Sequence, residues 1–145
     1  MRQPTIAVAT FVWNERGTHF LAAKRLSGKY QGYWNLPGGH LEWMEAPITG
    51  ASREVWEEVG INAKNFQQLT FDSERKPEID HCWVVLFYCA QHVCDLPPNP
   101  EPDKNSGWKW MRSADLPEKT LEPMLRNVKA AQAWATQQWA AREVV

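Results

Sequence analysis

The first part of the chain alternates apolar and polar positions in the manner of a β-hairpin. Residues 5–13 (TIAVATFVW) are rich in β-branched and apolar side chains, residues 14–17 (NERG) are typical of a turn, and residues 18–25 return to an apolar pattern. Two apolar runs joined by a few polar residues that include glycine indicate two antiparallel strands. The sequence therefore predicts a hairpin here.

A helical period begins near Pro47. If residues 47–59 form a helix with side chains about 100° apart, one apolar stripe faces the core. Pro47 suits the first turn of this helix, and Gly60 suits its C-terminal cap. The predicted stripe consists of Ile48, Ala51, Val55 and Val59.

The rest of the chain mixes strands, loops and one long helix. The sequence predicts a loop over residues 27–39, a short strand over 66–71, a strand over 82–90, an irregular loop over 95–106, a strand over 107–111 and a helix over 121–142. Residues 82–90 (CWVVLFYCA) are almost continuously apolar, which is typical of a strand buried on both faces. Because strands and helices do not alternate strictly, we expect an α/β sandwich with a mixed sheet.

Length and charge narrow the class of protein. A chain of 145 residues fits one domain, so we expect residues 1–145 to form a single unit with a sizeable core. The 16 Lys and Arg residues nearly balance the 17 Asp and Glu residues, which gives a net charge of -1. This balance argues against a binder of nucleic-acid polymers, which would carry a basic face, and against a disordered chain.

Cysteine usage and the lack of long apolar runs favour a cytoplasmic protein. The three cysteines form an odd set without a Cys-x-x-Cys pair, which is typical of a reducing compartment. The N-terminal segment lacks the apolar stretch of a signal peptide, and nothing in the sequence approaches the ~20 apolar residues of a membrane span. We therefore expect no membrane partner.

Three glutamates share one edge of the predicted helix. Glu54, Glu57 and Glu58 stand at i, i+3 and i+4, and Arg53 can pair with Glu57 one turn away. Like charges at this spacing, near a helix C-terminus, are unfavourable. A divalent cation such as Mg²⁺ or Mn²⁺ would remove the penalty, and the turn at residues 37–39 (PGG) can bring a bare carbonyl to the same ion. The alternative is a solvated acidic face with an internal ion pair.

The wider spacing favours the metal site. Residues 39–61 read GHLEWMEAPITGASREVWEEVGI, with Gly39, Glu45 and the run REVWEEVGI at the fixed positions of the Nudix box. The chain therefore resembles the Nudix hydrolase family, which cleaves a nucleoside diphosphate linked to another group, X. The resemblance implies an α/β/α sandwich, with the box forming a loop, a helix and a loop beside the sheet, and a Mg²⁺ or Mn²⁺ cofactor.

By motif position, the resemblance also implies individual roles. Arg53 matches the arginine that orients a catalytic glutamate, and Glu45 matches a supporting glutamate near the start of the helix. The implied metal ligands are Glu54, Glu57, Glu58 and the carbonyl of Gly39.

The general base is less well defined. A carboxylate that does not fully coordinate metal can take a proton from the attacking water, and Glu57 or Glu58 is the candidate. In several relatives the base or an extra ligand lies on a later loop, a position that Asp103 matches loosely. The alternative for Asp103 is a solvated turn.

Residues that contact the base are suggested by likeness to the MutT-like group, which acts on nucleoside triphosphates. In that group an Asn at the position of Asn35 can hydrogen-bond a purine edge, although Asn35 could equally satisfy loop backbone. Among the nine Trp residues, Trp34 and Trp110 are the candidates for stacking on a base, whereas Trp83 and Trp134 are expected in packing.

The resemblance favours a metal-dependent pyrophosphohydrolase that turns a (d)NTP, an oxidised one included, into a monophosphate and pyrophosphate. Alternative substrates are ADP-ribose, a nucleotide sugar, a dinucleoside polyphosphate or dihydroneopterin triphosphate. A non-catalytic nucleotide-binding module is the alternative from another class, although such a module would be expected to lose the carboxylates. The expected partner is a small-molecule nucleotide, and the C-terminal helix leaves both a monomer and a homodimer open.

Overall fold

The computed structural model describes residues 2–94 and 96–143. The strands in this part of the chain are β1 (Thr5–Trp13), β2 (Phe20–Lys24), β3 (Trp34–Asn35), β4 (Gly38–His40), β5 (Lys64–Lys76), β6 (His81–Gln91) and β7 (Lys109–Met111). The helices are α1 (Pro47–Val59), α2 (Glu122–Glu143) and two short 3₁₀ helices, Pro77–Ile79 and Ser113–Asp115. Among the described residues, no helix is both long and apolar enough to cross a membrane.

Strand β1 lies at the centre of a mixed sheet. It pairs in parallel with β6 along its whole length. Its other edge pairs antiparallel with β4 and, where Trp13 lies opposite Phe20, with β2. The order across the sheet is β3-β2-β1-β6-β5, with β4 also beside β1 and β7 beside β2. The predicted hairpin and the mixed sheet are confirmed.

Alternate residues of β1 face two separate cores. Phe11 and Trp13 belong to the core beneath α2. Val12 lies in the core beneath α1, together with Val55 and Val59. Side chains of a strand point to opposite faces in turn, so each face of the sheet receives one helix. This arrangement confirms the α/β/α sandwich.

Helix α1 has the predicted bounds, but its buried stripe differs at the first turn. Ile48 is 47 % exposed, which corrects its predicted place in the core. Gly50 is buried instead. A β-carbon at Gly50 would lie 2.7 Å from Leu41 Cδ1 and 2.8 Å from Glu45 Oε1, so the preceding loop covers this side of the helix. The other predicted members, Ala51, Val55 and Val59, are buried.

Two segments carry more strand than the sequence predicts. Residues 27–39 include β3 and the first two residues of β4, and β5 extends well beyond residues 66–71. Strand β5 is an edge strand whose side chains are largely exposed, so apolar residues mark only part of it. The predicted elements over 82–90, 107–111 and 121–142 correspond to β6, β7 and α2. Residues 96–106 are irregular as expected, and Asp95 of that predicted loop lies outside the described residues.

Candidate active site

A cavity of about 500 Å³ lies beside β4, between α1, the sheet and the first turn of α2. This volume is in the range of sites for small molecules. Both acidic and basic side chains line this cavity. The lining carboxylates are Glu54, Glu57, Glu58, Glu74 and Glu101, and the lining cations are Arg25, Lys29 and Lys104.

Two carboxylates of α1 lie directly against the backbone of β4. The Gly38 amide donates a hydrogen bond to Glu58 Oε1 at 2.8 Å. The carboxylate of Glu54 packs on the α-carbon of Gly39. Glu57 is more exposed and lines the same cavity. The structure thus brings together the four residues that the sequence predicts as metal ligands.

Burial makes negative charge costly on the carboxylates of Glu58 and Glu54. It raises the pKa of Glu58 to about 8, an effect opposed by the hydrogen bond from Gly38 and increased by the charge of Glu54. Burial also raises the pKa of Glu54, while Arg53 opposes that rise. A cation between these groups would stabilise their ionised forms.

The donor set fits a hard divalent cation, because it consists of carboxylate and carbonyl oxygens. Within residues 2–94 and 96–143, however, no three His, Cys, Asp or Glu side chains are already placed to hold a metal ion. Glu54 and Glu57 are instead turned toward Arg53, whose Nη1 donates to Glu54 Oε1 at 2.8 Å and to Glu57 Oε2 at 3.1 Å. The predicted pair of Arg53 and Glu57 is therefore present.

Arg53 is fixed from the opposite side by Glu45. Its Nε donates to Glu45 Oε2 at 2.7 Å, and its Nη2 donates to Glu45 Oε1 at 2.9 Å. Nη2 also donates to the His40 carbonyl at 3.0 Å. Hydrogen bonds from Arg53 hold the pKa of Glu45 below its usual value. Arg53 thus joins the loop before α1, strand β4 and the cavity carboxylates.

The loop after β6 contributes a different acid from the predicted one. Asp103 is exposed and is not among the described residues that line the cavity, whereas Glu101 is. The negative charge of Glu101 contributes to the raised pKa of Glu58. Glu101 lies only two residues from Asp103 in the same loop, and no local sequence signal distinguishes the two acids. Of these two acids, Glu101 is the one that lies at the cavity.

Asn35 lines the cavity, but the two predicted stacking residues do not. Asn35 Oδ1 accepts a hydrogen bond from the Leu36 amide at 2.8 Å. Trp34 packs against the core beneath α2, with Lys109 Nζ 5.7 Å from its ring. Trp110 packs beneath α1, and its indole nitrogen donates to a backbone carbonyl. Neither indole is among the described residues that line the cavity, since each packs against one of the two cores instead.

The aromatic wall of the cavity comes from β6 and the loop before β3. Trp83, Tyr30 and the buried imidazole of His81 line it. Trp83 packs on the core as predicted and also faces the cavity. The signal in the sequence was the alternation of residues 81, 83, 85 and 87, which places them on one face of a strand.

Comparisons with known proteins agree with this architecture. Residues 3–132 match the family model described as NUDIX domain. A "MutT-like protein" of Streptomyces ambofaciens is 47 % identical over 60 residues, covering 41 % of this chain and 36 % of that protein. "Phosphatase NudJ" of Escherichia coli K12 is 41 % identical over 64 residues, covering 44 % and 40 %. The match thus spans well under half the length of these relatives.

Solved structures extend the likeness to nearly the whole chain. A MutT NUDIX hydrolase from Burkholderia pseudomallei aligns with a TM-score of 0.76 and 26 % identity, covering 94 % of this chain and 98 % of that one. The NUDIX domain of Shewanella oneidensis NrtR, solved with ADP ribose, aligns with a TM-score of 0.76 and 18 % identity, covering 92 % and 90 %.

Proposed function

Because this chain belongs to the NUDIX domain family, we propose that it is a metal-dependent pyrophosphohydrolase acting on a nucleoside diphosphate linked to a group X. We further propose that its substrate is a nucleoside triphosphate, cleaved to the monophosphate and pyrophosphate. One observation carries the proposal: Glu54, Glu57 and Glu58 share a single cavity with the cations Arg25, Lys29 and Lys104. A polyphosphate needs both a metal site and positive side chains around it.

The proposed ligands of Mg²⁺ or Mn²⁺ are Glu54, Glu57, Glu58 and the Gly39 carbonyl. When bound, the ion neutralises phosphate charge and lowers the pKa of a coordinated water. Support also comes from a fold neighbour, a Francisella tularensis adenylyltransferase and ADP ribose pyrophosphatase that was solved with AMP and a Mn ion.

The remaining side chains bind, orient and accept a proton. Lys29 and Lys104 pair with phosphate oxygens. Arg53 holds its neighbouring carboxylates in position by hydrogen bonds. Glu57 or Glu58 accepts the proton of the attacking water. The new bond joins the water oxygen to phosphorus, the phosphoanhydride bond breaks, and pyrophosphate leaves.

A substrate panel tests this proposal. Purified protein with Mg²⁺ is offered the nucleoside triphosphates, ADP-ribose, a nucleotide sugar, a dinucleoside polyphosphate and dihydroneopterin triphosphate, and release of phosphate and pyrophosphate is measured. We expect pyrophosphate from at least one triphosphate and none after chelation. Nucleotide binding without turnover across the panel would support a non-catalytic module instead.

The variant Glu57→Gln tests the metal assignment. It should fold normally yet lose most of kcat, because an amide neither carries the charge nor accepts the proton. Glu118→Gln, a change at an exposed residue outside the cavity, is the matched control and should retain parental kcat. Equal rates for parent and Glu57→Gln would contradict the assignment.

A further inference from the structure

A second polar cluster lines the cavity away from the α1 carboxylates. Glu74 of β5 is 8 % exposed and His81 of β6 is 4 % exposed. The His81 Nε2 and Glu74 Oε2 atoms are 3.4 Å apart. Tyr30 joins them, with its ring centroid 5.4 Å from that of His81. All three side chains line the same cavity as Glu54 and Glu58.

Several polar atoms of this cluster are unsatisfied. Within the described residues, the Tyr30 hydroxyl and both ring nitrogens of His81 are buried and make no hydrogen bond of good geometry, and Glu74 is the charged neighbour of both the Tyr30 hydroxyl and His81 Nε2. A buried polar group without a hydrogen-bond partner is unfavourable, because it has lost its hydrogen bonds to water. Buried polar groups in folded proteins are almost always hydrogen-bonded to protein, to water or to a ligand, and these three atoms belong to side chains that face one cavity. These atoms therefore indicate a binding site.

The cluster lies at a distance that an extended ligand can bridge. Gly39 pairs with Val8, and Val8 lies opposite Leu86 on β6. His81 is five positions before Leu86 on the same strand, or roughly 17 Å along it at ~3.3 Å per residue. A lone phosphate cannot span that distance. A nucleotide places a heterocycle at the far end from its polyphosphate.

The aromatic rings here contact one another. His40 and Trp83 have centroids 4.7 Å apart, and so have His81 and Trp83, which are stacked at 27°. Tyr30 continues the row with an edge contact to His81. The stacked pair of His81 and Trp83 gives a planar surface that suits a planar ligand, whereas His40 and Tyr30 meet this pair edge-on at 74° and 81°. Selectivity among planar ligands then depends on the polar atoms beside the aromatic rings.

These polar atoms complement one kind of heterocycle edge. The Glu74 carboxylate accepts hydrogen bonds, the Tyr30 hydroxyl donates, and the His81 imidazole can do either. Burial and the neighbouring Glu74 raise the pKa of Tyr30, so its phenol stays a donor at neutral pH. An exocyclic amino group beside a ring nitrogen offers the matching donor and acceptor.

We propose that Tyr30, Glu74 and His81 form a recognition site for the amino-bearing edge of a nucleobase, with Glu74 accepting the exocyclic N–H. This assignment rests on the proposed function, because it takes the cavity to hold a nucleotide whose phosphates lie at Glu54. It adds the class of base: adenine, guanine or cytosine over bases without an amino group.

The test compares kcat/KM within matched substrate pairs: ATP and purine riboside triphosphate, GTP and ITP, CTP and UTP. For the preferred base, loss of the amino group should lower kcat/KM roughly tenfold or more, because a buried acceptor is left unpaired. Glu74→Leu should reduce that ratio to under about threefold. Glu78→Leu, a change at an exposed residue nearby, should retain the parental ratio.

Tyr30→Phe keeps the test decisive if Glu74→Leu does not fold. It removes one hydroxyl and should raise KM for the preferred base with little change in kcat. If the parent turns over triphosphates but every pair gives a ratio near one, the recognition site is refuted and the proposed function stands. If no substrate is hydrolysed, the proposed function fails. In that case calorimetry compares the affinities of AMP, GMP and CMP with those of IMP and UMP, which tests the recognition site without turnover. Equal affinities would refute the site.

Discussion

The α-carbon of Gly39 and the carboxylate of Glu54 are in such close contact that no β-carbon fits between them. A β-carbon on Gly39 would lie 2.6 Å from Glu54 Oε1 and 2.8 Å from Oε2. A β-carbon on the neighbouring Gly38 would instead collide with main-chain atoms, since it would lie 2.2 Å from the carbonyl oxygen of Val8. The two glycines are therefore required for different reasons, one by the site and one by the sheet.

We expect Gly39→Ala to fold and to lose activity. The Glu54 carboxylate is the end of a flexible side chain and can move aside, which removes it from the proposed metal site. We expect this displacement to cost at least the 10–100-fold in activity or metal affinity that is typical when a group that orients a metal ligand is lost. Pyrophosphate release and calorimetric Mg²⁺ binding measure the loss.

Gly38→Ala is the contrasting variant. It meets main-chain atoms that cannot move without separating β4 from β1, so it should lower the free energy of unfolding by roughly 1–3 kcal/mol or more. Denaturant titration of both variants makes the comparison. Equal destabilisation by the two changes would contradict this distinction.

Replacing Glu45 with Gln should lower kcat although Glu45 does not line the cavity. Glu45 holds both Nε and Nη2 of Arg53, and Arg53 in turn holds Glu54 and Glu57. Loss of the charged pair should reduce kcat by about tenfold. Glu42→Gln is the matched control, since the Glu42 carboxylate is more exposed and 3.6 Å from Arg53 Nε. Steady-state kinetics that affect both variants alike would argue against this specific role.

Replacing Glu58 with Gln should stabilise the metal-free protein at high pH. The folded-state pKa of Glu58 is raised from 4.5 to about 8, so the folded state binds the proton more tightly and loses stability as pH rises through this window. Gln does not titrate and can still accept the Gly38 hydrogen bond. The free energy of unfolding of the variant should exceed that of the parent by roughly 2–4 kcal/mol above pH 8. Below pH 4.5 the two should converge.

Unfolding with a chelator present, repeated between pH 4 and pH 9, measures this difference. Glu118→Gln should follow the parent at every pH, because it changes an exposed residue outside the cavity. A constant difference between Glu58→Gln and the parent across the range would show that burial of the Glu58 charge is not the cause.

Glu101 and Asp103 should respond differently to amide replacement. Glu101 lines the cavity, and Asp103 is exposed on the same loop. Glu101→Gln should change kcat or the Mg²⁺ dependence by about tenfold, whereas Asp103→Asn should be silent within about twofold. Magnesium titrations of the reaction rate compare the two. The reverse ranking would restore Asp103 as the candidate.

The sequence by itself determined the structural features that depend on residues close together along the chain. The bounds of β1 and α1 follow from local periodicity, Pro47 and the Gly60 cap. The acidic edge of α1 and its pairing with Arg53 follow from helical spacing. Such features involve residues within about one turn of each other, so a linear pattern is enough to predict them.

Only the tertiary structure decided which distant segments share the cavity. It brought in Glu101, Trp83 and the buried pair of Glu74 and His81, and it packed Trp34 against the core beneath α2. Local patterns do not specify these contacts, because they depend on the register between β5 and β6 and on how loops close over the sheet. A tryptophan has the same local signal whether it packs in a core or lines a site, and packing between distant segments decides between the two.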